Sequence, residues 1–388
     1  MRAAACSALL AAASLVAGSA SAQYQLRADA YFTGAGSSTG LLVLTGEARQ
    51  PSWLTAETVV WLGIGNRPGD VMVVSLRARQ PDGHFEARAG RMLVTAGAIR
   101  PVHLDGLDLT ARAPWGTSVE VFGGMPVVSD FQPRDYDWAA GGRVGQRVAD
   151  VATVGISYLQ LRQTGVIAYD ELGLDSAVQA TRWLDAAFTS AVGLDAMEIT
   201  DARASLAARF SQVRIELFAM RRSPSHLLPA TSLFSALGDV PSDRAGGSLL
   251  WRAAPRLDLL AESAIESLGG EVGGHMLFRS TLRLDDKGAG ALGLELHREG
   301  VPDASWTGIR GTARLPFSAR LTASTELELV RPDDPRGRGV VWPWGLVALR
   351  FRPEPRWELA SALEASASPT AVSSVSTLVR VSYLWGSK

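Results

Sequence analysis

The sequence is short of the residues that crosslink exported proteins or bind metals. Its 388 residues hold one cysteine, Cys6, inside an apolar amino-terminal stretch. Beyond that stretch the chain forms no disulfide and binds no metal through thiolate. Lysine occurs only at Lys287 and Lys388 and asparagine only at Asn66, so almost every cation is an arginine. Such a bias belongs to overall composition, and only the position of an arginine carries meaning. No run of about 18 apolar residues follows the amino-terminal stretch, which excludes a transmembrane helix. No segment keeps a clear period of 3.6. The five histidines, His84, His103, His226, His275 and His297, show no H-x-x-H or H-E-x-x-H spacing, and no histidine-based metal site is expected.

What is present is apolar and balanced in charge. Hydrophobic residues make up 47% and charged residues 20%, and 38 basic groups face 39 acidic ones for a net charge of −1. This composition excludes a disordered chain, a coiled coil and a polycationic nucleic-acid binder. Arg2, the apolar run Ala3 to Val16 and Ala20-Ser21-Ala22 have the order of a secretory signal with its cleavage site. Residues 1–22 are expected to be a signal peptide and 23–388 a single exported domain.

Period-two alternation runs along the chain. Tyr24, Leu26, Ala28, Ala30 and Phe32 alternate with Gln25, Arg27, Asp29 and Tyr31. Leu321, Ala323, Leu327 and Leu329 alternate with Thr322, Ser324, Glu326 and Glu328, and Val379, Val381, Tyr383 and Trp385 with Arg380 and Ser382. Short punctuated turns such as Gln80-Pro81-Asp82-Gly83 and Pro114-Trp115-Gly116 alternate with longer segments such as 65–70, 98–103, 128–137, 223–245 and 299–305. That asymmetry is how transmembrane β-barrels are built. The expected fold is all-β, one antiparallel up-and-down transmembrane barrel of about 22 strands, within a range of 18 to 22. Short periplasmic turns, long extracellular loops and no plug domain complete it. The pattern is weakest between Arg143 and Ala202.

A soluble β-sandwich is the competing all-β fold, and tryptophan placement argues against it. Trp53, Trp115, Trp183, Trp251, Trp357 and Trp385 fall near short turns, and Trp61, Trp138, Trp306, Trp342 and Trp344 near long loops. Two belts of amphipathic indoles suit the two membrane interfaces. The last strand ends Tyr383-Leu384-Trp385 and resembles the aromatic-ended closing strand that barrels present to their assembly machinery, although Gly386, Ser387 and Lys388 extend past it. Gly90-Arg91, followed after a loop by Asp105-Gly106, resembles paired motifs of porin-like and alginate-export-like bacterial outer-membrane proteins. The resemblance covers about twenty residues and implies a class, an outer-membrane porin-like barrel, without a substrate.

The polar parity of the late strands carries a charge pattern. Acidic strands hold Glu262 and Glu266, Glu295, Glu326 and Glu328, and Glu358 and Glu364. Between them lie Arg252, Arg279 and Arg283, Arg310 and Arg314, Arg350 and Arg352, and Arg380. Opposed side chains on neighbouring strands are about 5 Å apart, so these groups are expected to pair across strands and line a pore without strong ion selectivity. An ion-pair lattice that merely stabilises the wall is the plainer alternative. With no plug, a constriction has to come from loops. Segment 223–245 is the candidate, because Leu227, Leu228, Leu233, Phe234 and Leu237 have little reason to sit in water; contact with lipopolysaccharide or a neighbouring subunit is its alternative role.

Enzymatic signatures are poor. His226 among Ser223, Ser225, Ser232 and Ser235, with Asp239, holds the ingredients of a serine hydrolase without a nucleophile elbow. Asp130, Asp135 and Asp137 lack the regular spacing of a calcium loop. The sequence therefore points to a non-enzymatic outer-membrane channel for passive passage of small solutes, needing no cofactor and no metal. The alternative is a closed, export or scaffold barrel acting through its extracellular loops. Expected partners are outer-membrane lipid and lipopolysaccharide, the barrel-assembly machinery, small solutes and a homo-oligomeric copy, with no nucleic acid.

Overall fold

In the computed structural model the described residues are 23–35, 37–49, 53–64, 69–127, 136–223, 241–300, 305–334, 340–367 and 373–386. They form 22 strands in one sheet, each hydrogen-bonded to its chain neighbours. Every pairing is antiparallel, from Gln23↔Arg49 through Trp357↔Tyr383. Strand β1 (Gln23–Ala35) also pairs with β22 (Ser374–Gly386), from Gln25↔Gly386 to Gly34↔Thr377, so the sheet closes on itself and has no free edge. Both of these outer ends lie at the end of the barrel that carries the short turns. No helix among the described residues is long and apolar enough to cross a membrane, and the crossing elements are the strands.

The strands form because alternate residues satisfy two different environments. On one face stand Ile156, Leu217, Leu294, Leu327 and Val347, all exposed, with Leu327 61% accessible and Ile156 56%. A belt of this size has no counterpart on a protein dissolved in water and is the surface of a barrel seated in lipid. The opposite face carries the ion pairs described below. Closure makes one face the interior, and a buried contact between non-neighbouring strands on the charged face identifies it as that face.

The two ends differ as the turn pattern anticipates, with two corrections. Thr164-Gly165 and Gly269-Gly270 close strands on the long-loop side with both residues at positive φ (49 and 80°, 60 and 91°), as tight hairpins do. The signal peptide, residues 1–22, lies outside the described residues, as do the constriction candidates Leu227, Leu228, Leu233 and Phe234, and with them His226, Asp239, Asp130 and Asp135. Asp137 is described, and its carboxylate accepts the Gly165 amide at 2.6 Å.

The tryptophan belts also need correction. At the turn end Trp53, Trp115, Trp183, Trp251, Trp357 and Trp385 are all exposed, and Tyr383 packs between Trp357 and Trp385 with centroids 4.5 and 4.0 Å away. At the long-loop end Trp138 faces outward, with the Arg162 guanidinium 5.4 Å from its ring. Trp306 and Trp344 lie on the charged face instead. Trp306 meets His297 edge-on at 4.6 Å, and Trp344 donates its indole N–H to Glu364 at 2.7 Å. An indole needs a partner for its N–H, and a carboxylate inside the barrel supplies one as well as a lipid interface does.

Candidate functional site: the charged wall and an inward strap

The charged face is a cross-strand lattice, built where an arginine and a carboxylate share a register position. Arg279 on β16 (Glu271–Arg283) sits opposite Glu295 on β17 (Ala291–Glu299), and their side chains meet at 2.5 Å. Arg310 on β18 (Trp306–Pro316) reaches Glu328 at 2.9 Å and Glu326 at 3.2 Å on β19 (Leu321–Pro332), and Glu295 at 3.9 Å across the other edge. Glu358 on β21 (Trp357–Ser366) takes both Arg380 and Arg352.

Other members of the expected set find different partners. Glu262 pairs with Arg244 at 2.6 Å, Arg283 and Arg252 both turn to Asp258 at 2.6 and 3.7 Å, and Glu364 accepts from Trp344 and Ser376. Glu266 stands opposite Gly273 and Arg244. Arg314 donates to main-chain carbonyls, and Arg350 has no ion-pair partner among the described residues.

Two histidines belong to the same lattice and went unread in the sequence. His275 Nδ1 lies 2.5 Å from Glu299, and His297, 7% exposed, sits 3.2 Å from each of Glu295 and Glu328. The early strands repeat the design with Arg77–Glu86, Arg88–Glu57 and Arg143–Asp175 at 2.7, 3.1 and 2.5 Å. The signal that could have found them is the alternation already used for the late strands. No group of three or more His, Cys, Asp or Glu residues able to hold a metal occurs among the described residues.

The Gly-Arg and Asp-Gly motifs pair with each other. Gly90 faces Gly106, and Arg91 grips Asp105 with two hydrogen bonds of 2.8 and 2.9 Å, the pair standing on the outer parity near the long-loop rim. Gly90 has φ 121°, and a Cβ there would lie 2.2 Å from the Val74 carbonyl oxygen, so only glycine fits.

The most distinctive feature is residues 95–101, which join β5 (Phe85–Val94) to β6 (Val102–Arg112) and fold back against the wall. Ala96, Ile99 and Arg100 are buried in this strap. The Arg100 amide donates to Glu171 at 2.8 Å, and the Arg100 guanidinium lies 5.2 Å from the Tyr169 ring. Glu171, on β10 (Val166–Gln179), is fully buried and also accepts the hydroxyls of Tyr169 and Thr200 at 2.9 and 2.8 Å.

Close approach is made possible by small residues. Gly97 has φ 62°, and a Cβ on it would come within 2.6 Å of Asp175 and 2.9 Å of Arg143 and Ser157. A Cβ on Gly173 would lie 3.0 Å from the Ile99 nitrogen. Residues between β5 and β6 thus touch β8 (Tyr136–Val148), β9 (Ala152–Gln163) and β10, which are not their neighbours in the sheet. Only the concave face of a closed sheet permits that chord, which fixes the charged face as the interior. Around the strap the interior is apolar, with Met92, Val94, Val102, Leu104, Phe122, Leu159 and Leu161 in one buried cluster. Among the described residues the strap is the segment that leaves the wall and packs across the interior, and its apolar composition is what marks it in the sequence.

No family model matches the sequence, and no curated protein matches it. Solved structures match its fold. The translocation pore of the P pilus usher PapC aligns over 95% of this chain and 100% of that chain at 10% identity, with a TM-score of 0.52. The Escherichia coli P pilus tip assembly intermediate PapC-PapD-PapK-PapG aligns over 93% of this chain and 60% of that chain, at 10% identity and a TM-score of 0.57. The siderophore receptor PirA from Pseudomonas aeruginosa aligns over 94% and 80%, at 7% identity and a TM-score of 0.57. At these identities the likeness is one of architecture: the chain has the fold of large outer-membrane β-barrels.

Proposed function

We propose that this barrel is an outer-membrane channel through which small solutes pass passively, exported by the signal in residues 1–22 and assembled through its aromatic-ended last strand. The observation that carries the reading is the interior itself. Arginine and carboxylate groups from strands around the whole wall, Arg88 and Glu57 as well as Arg279 and Glu295, Arg310 and Glu326, and Arg380 and Glu358, face a space enclosed by a closed sheet. Charges in such number stay ionised at tolerable cost only where water reaches them. The lining is Arg252, Glu262, Glu266, Arg279, Arg283, Glu295, Arg310, Arg314, Glu326, Glu328, Arg350, Glu358, Glu364 and Arg380, and the strap narrows it on the β8–β10 side. The outer rim, with Arg91–Asp105 and Trp138–Arg162, meets the lipopolysaccharide leaflet.

Single-channel recording of detergent-purified protein in a planar bilayer tests this. Discrete current steps with weak ion preference are expected. Arg310→Gln removes the one cation shared by Glu295, Glu326 and Glu328, and the reversal potential in a salt gradient is expected to move toward cation selectivity. An unchanged reversal potential in a conducting variant would place Arg310 outside the ion path.

A second reading is favoured by the strap, whose buried latch suits a barrel kept shut and acting through its outer loops. Protein that is folded and inserted but silent would support that reading, and current restored by loosening the strap would identify the shutter.

A further inference from the structure

We propose that the turn-end mouth of the lumen holds a binding site for a phosphate or carboxylate group on a small solute, formed by Lys287, Arg314 and Arg350. It rests on the channel reading only in supposing that solutes reach this mouth. A cavity of about 470 Å³ lies between the turn 284–290 and strands β18, β19, β20 (Trp342–Phe351) and β21. Its floor is made of small side chains in register. Arg314 faces Ser324 and Ser324 faces Ala348, while Thr322 faces Arg350 and Arg350 faces Ala360. Arg314 and Arg350 therefore line, together with Thr322 and Ser324, a recess bordered by Ala348 and Ala360.

The turn is built to cover that recess. Asp285 accepts the amides of Lys287, Ala289 and Gly290 at 2.9, 3.0 and 2.6 Å. Those amides, Gly290 foremost, hold its carboxyl below the usual aspartate range and keep the turn shaped in mild acid. Arg314 donates Nε and Nη2 to the carbonyls of Ala289 and Gly288 at 2.9 and 2.5 Å, pinning the turn against β18. Lys287, one of two lysines in a chain that otherwise uses arginine, is thereby carried to the rim.

Charge separates this place from the rest of the wall. No carboxylate lines the cavity. Asp285 is occupied by the turn, Asp286 pairs with Arg256 at 2.7 Å, and Glu358 is paired with Arg352 and Arg380 and acts on Arg350 only through space. Arg350 makes no hydrogen bond or ion pair among the described residues. Three cations facing one recess repel each other until an anion enters, and planar guanidiniums together with hydroxyls match a phosphate or carboxylate.

The test is titration of inorganic phosphate into the detergent-folded full chain, followed by calorimetry and by phosphorus NMR line width. Saturable binding is expected, weakened about tenfold by loss of one charge-assisted hydrogen bond in Arg350→Gln, and likewise in Lys287→Gln, which alters an exposed turn and leaves the strands intact. Arg209→Gln removes a guanidinium at the same end, where it pairs with Asp185 at 3.2 Å, and is expected to change nothing. Absence of saturable binding, or equal weakening in all three variants, overturns the site. Bilayer recording separates this from the channel reading. A barrel that conducts but ignores phosphate keeps the pore and loses the site, and one that binds phosphate without conducting keeps the site and loses the pore.

Discussion

Replacing Glu171 with leucine is expected to free the strap and raise the single-channel conductance. The wild-type carboxylate takes the Arg100 amide and the Tyr169 and Thr200 hydroxyls in a fully buried position. Leucine leaves the Arg100 amide and the Tyr169 hydroxyl without this acceptor, each at about 1–3 kcal/mol when buried, while the Thr200 hydroxyl keeps the Ala191 carbonyl at 3.2 Å. That sum of about 2–6 kcal/mol matches or outweighs the about 1.5–3 kcal/mol that burying the Ile99 side chain contributes, so the hold of the wall on residues 95–101 is largely lost. Glu171→Gln keeps an acceptor and is expected to fall between. Gly97→Val attacks the same contact from the strap side, since a branched side chain at φ 62° meets Asp175 and Arg143. Conductance and thermal stability both unchanged in Glu171→Leu would show that the strap is held by something other than this carboxylate.

Leu327→Arg separates a lipid-facing wall from a wet one. Leu327 is 61% exposed near the middle of β19. On a surface in water the change lies within about 0.5 kcal/mol of neutral. At the middle of a bilayer an arginine on the outer face costs about 2–4 kcal/mol, and close to an interface about 0–1 kcal/mol. Leu315→Arg, toward the turn end of β18, is the matched control. In urea unfolding from lipid vesicles the first variant is expected to lose far more stability than the second, and equal losses would contradict the orientation of the wall.

The late strands were legible because their interior residues are charged. Glu326 and Glu328 against Leu327 and Leu329 leave no doubt about parity, and strand number followed from counting such segments. The stretch from Arg143 to Ala202 was harder for a physical reason. Beside Arg143, Glu171 and Asp175, its interior positions include Gly155, Ser157, Leu159, Leu161, Gly173 and Ala191, which are small or apolar where the strap and its cluster pack, so the contrast between the two faces fades. Bulges at Ile167/Tyr169 and Ala191/Val192 add phase shifts that strict alternation cannot follow.

The strap was less legible than its place among the longer connections suggests, because seven residues, Thr95 to Pro101, are few beside the 23 of segment 223–245. Its composition held the clue. Val94, Ala96, Ile99 and Val102 give an apolar loop flanked by apolar interior positions, the same argument that drew attention to residues 223–245. Pairing partners were legible only in part, since Arg283 and Arg252 share Asp258 instead of reaching a glutamate. Cross-strand register decides such choices, and one-residue shifts are invisible in a single sequence.

The seam between β1 and β22 has a consequence for biogenesis. Its ten paired positions, Gln25↔Gly386 to Gly34↔Thr377, join the two most distant strands of the chain. Until the last strand arrives, every partly built sheet carries two sticky borders of unmatched amides and carbonyls, and these can be satisfied only by a chaperone or by another chain. Loss of Ser374 to Gly386 would therefore not shorten the cylinder by one stave; it would leave an open ribbon, prone to stack on its own kind.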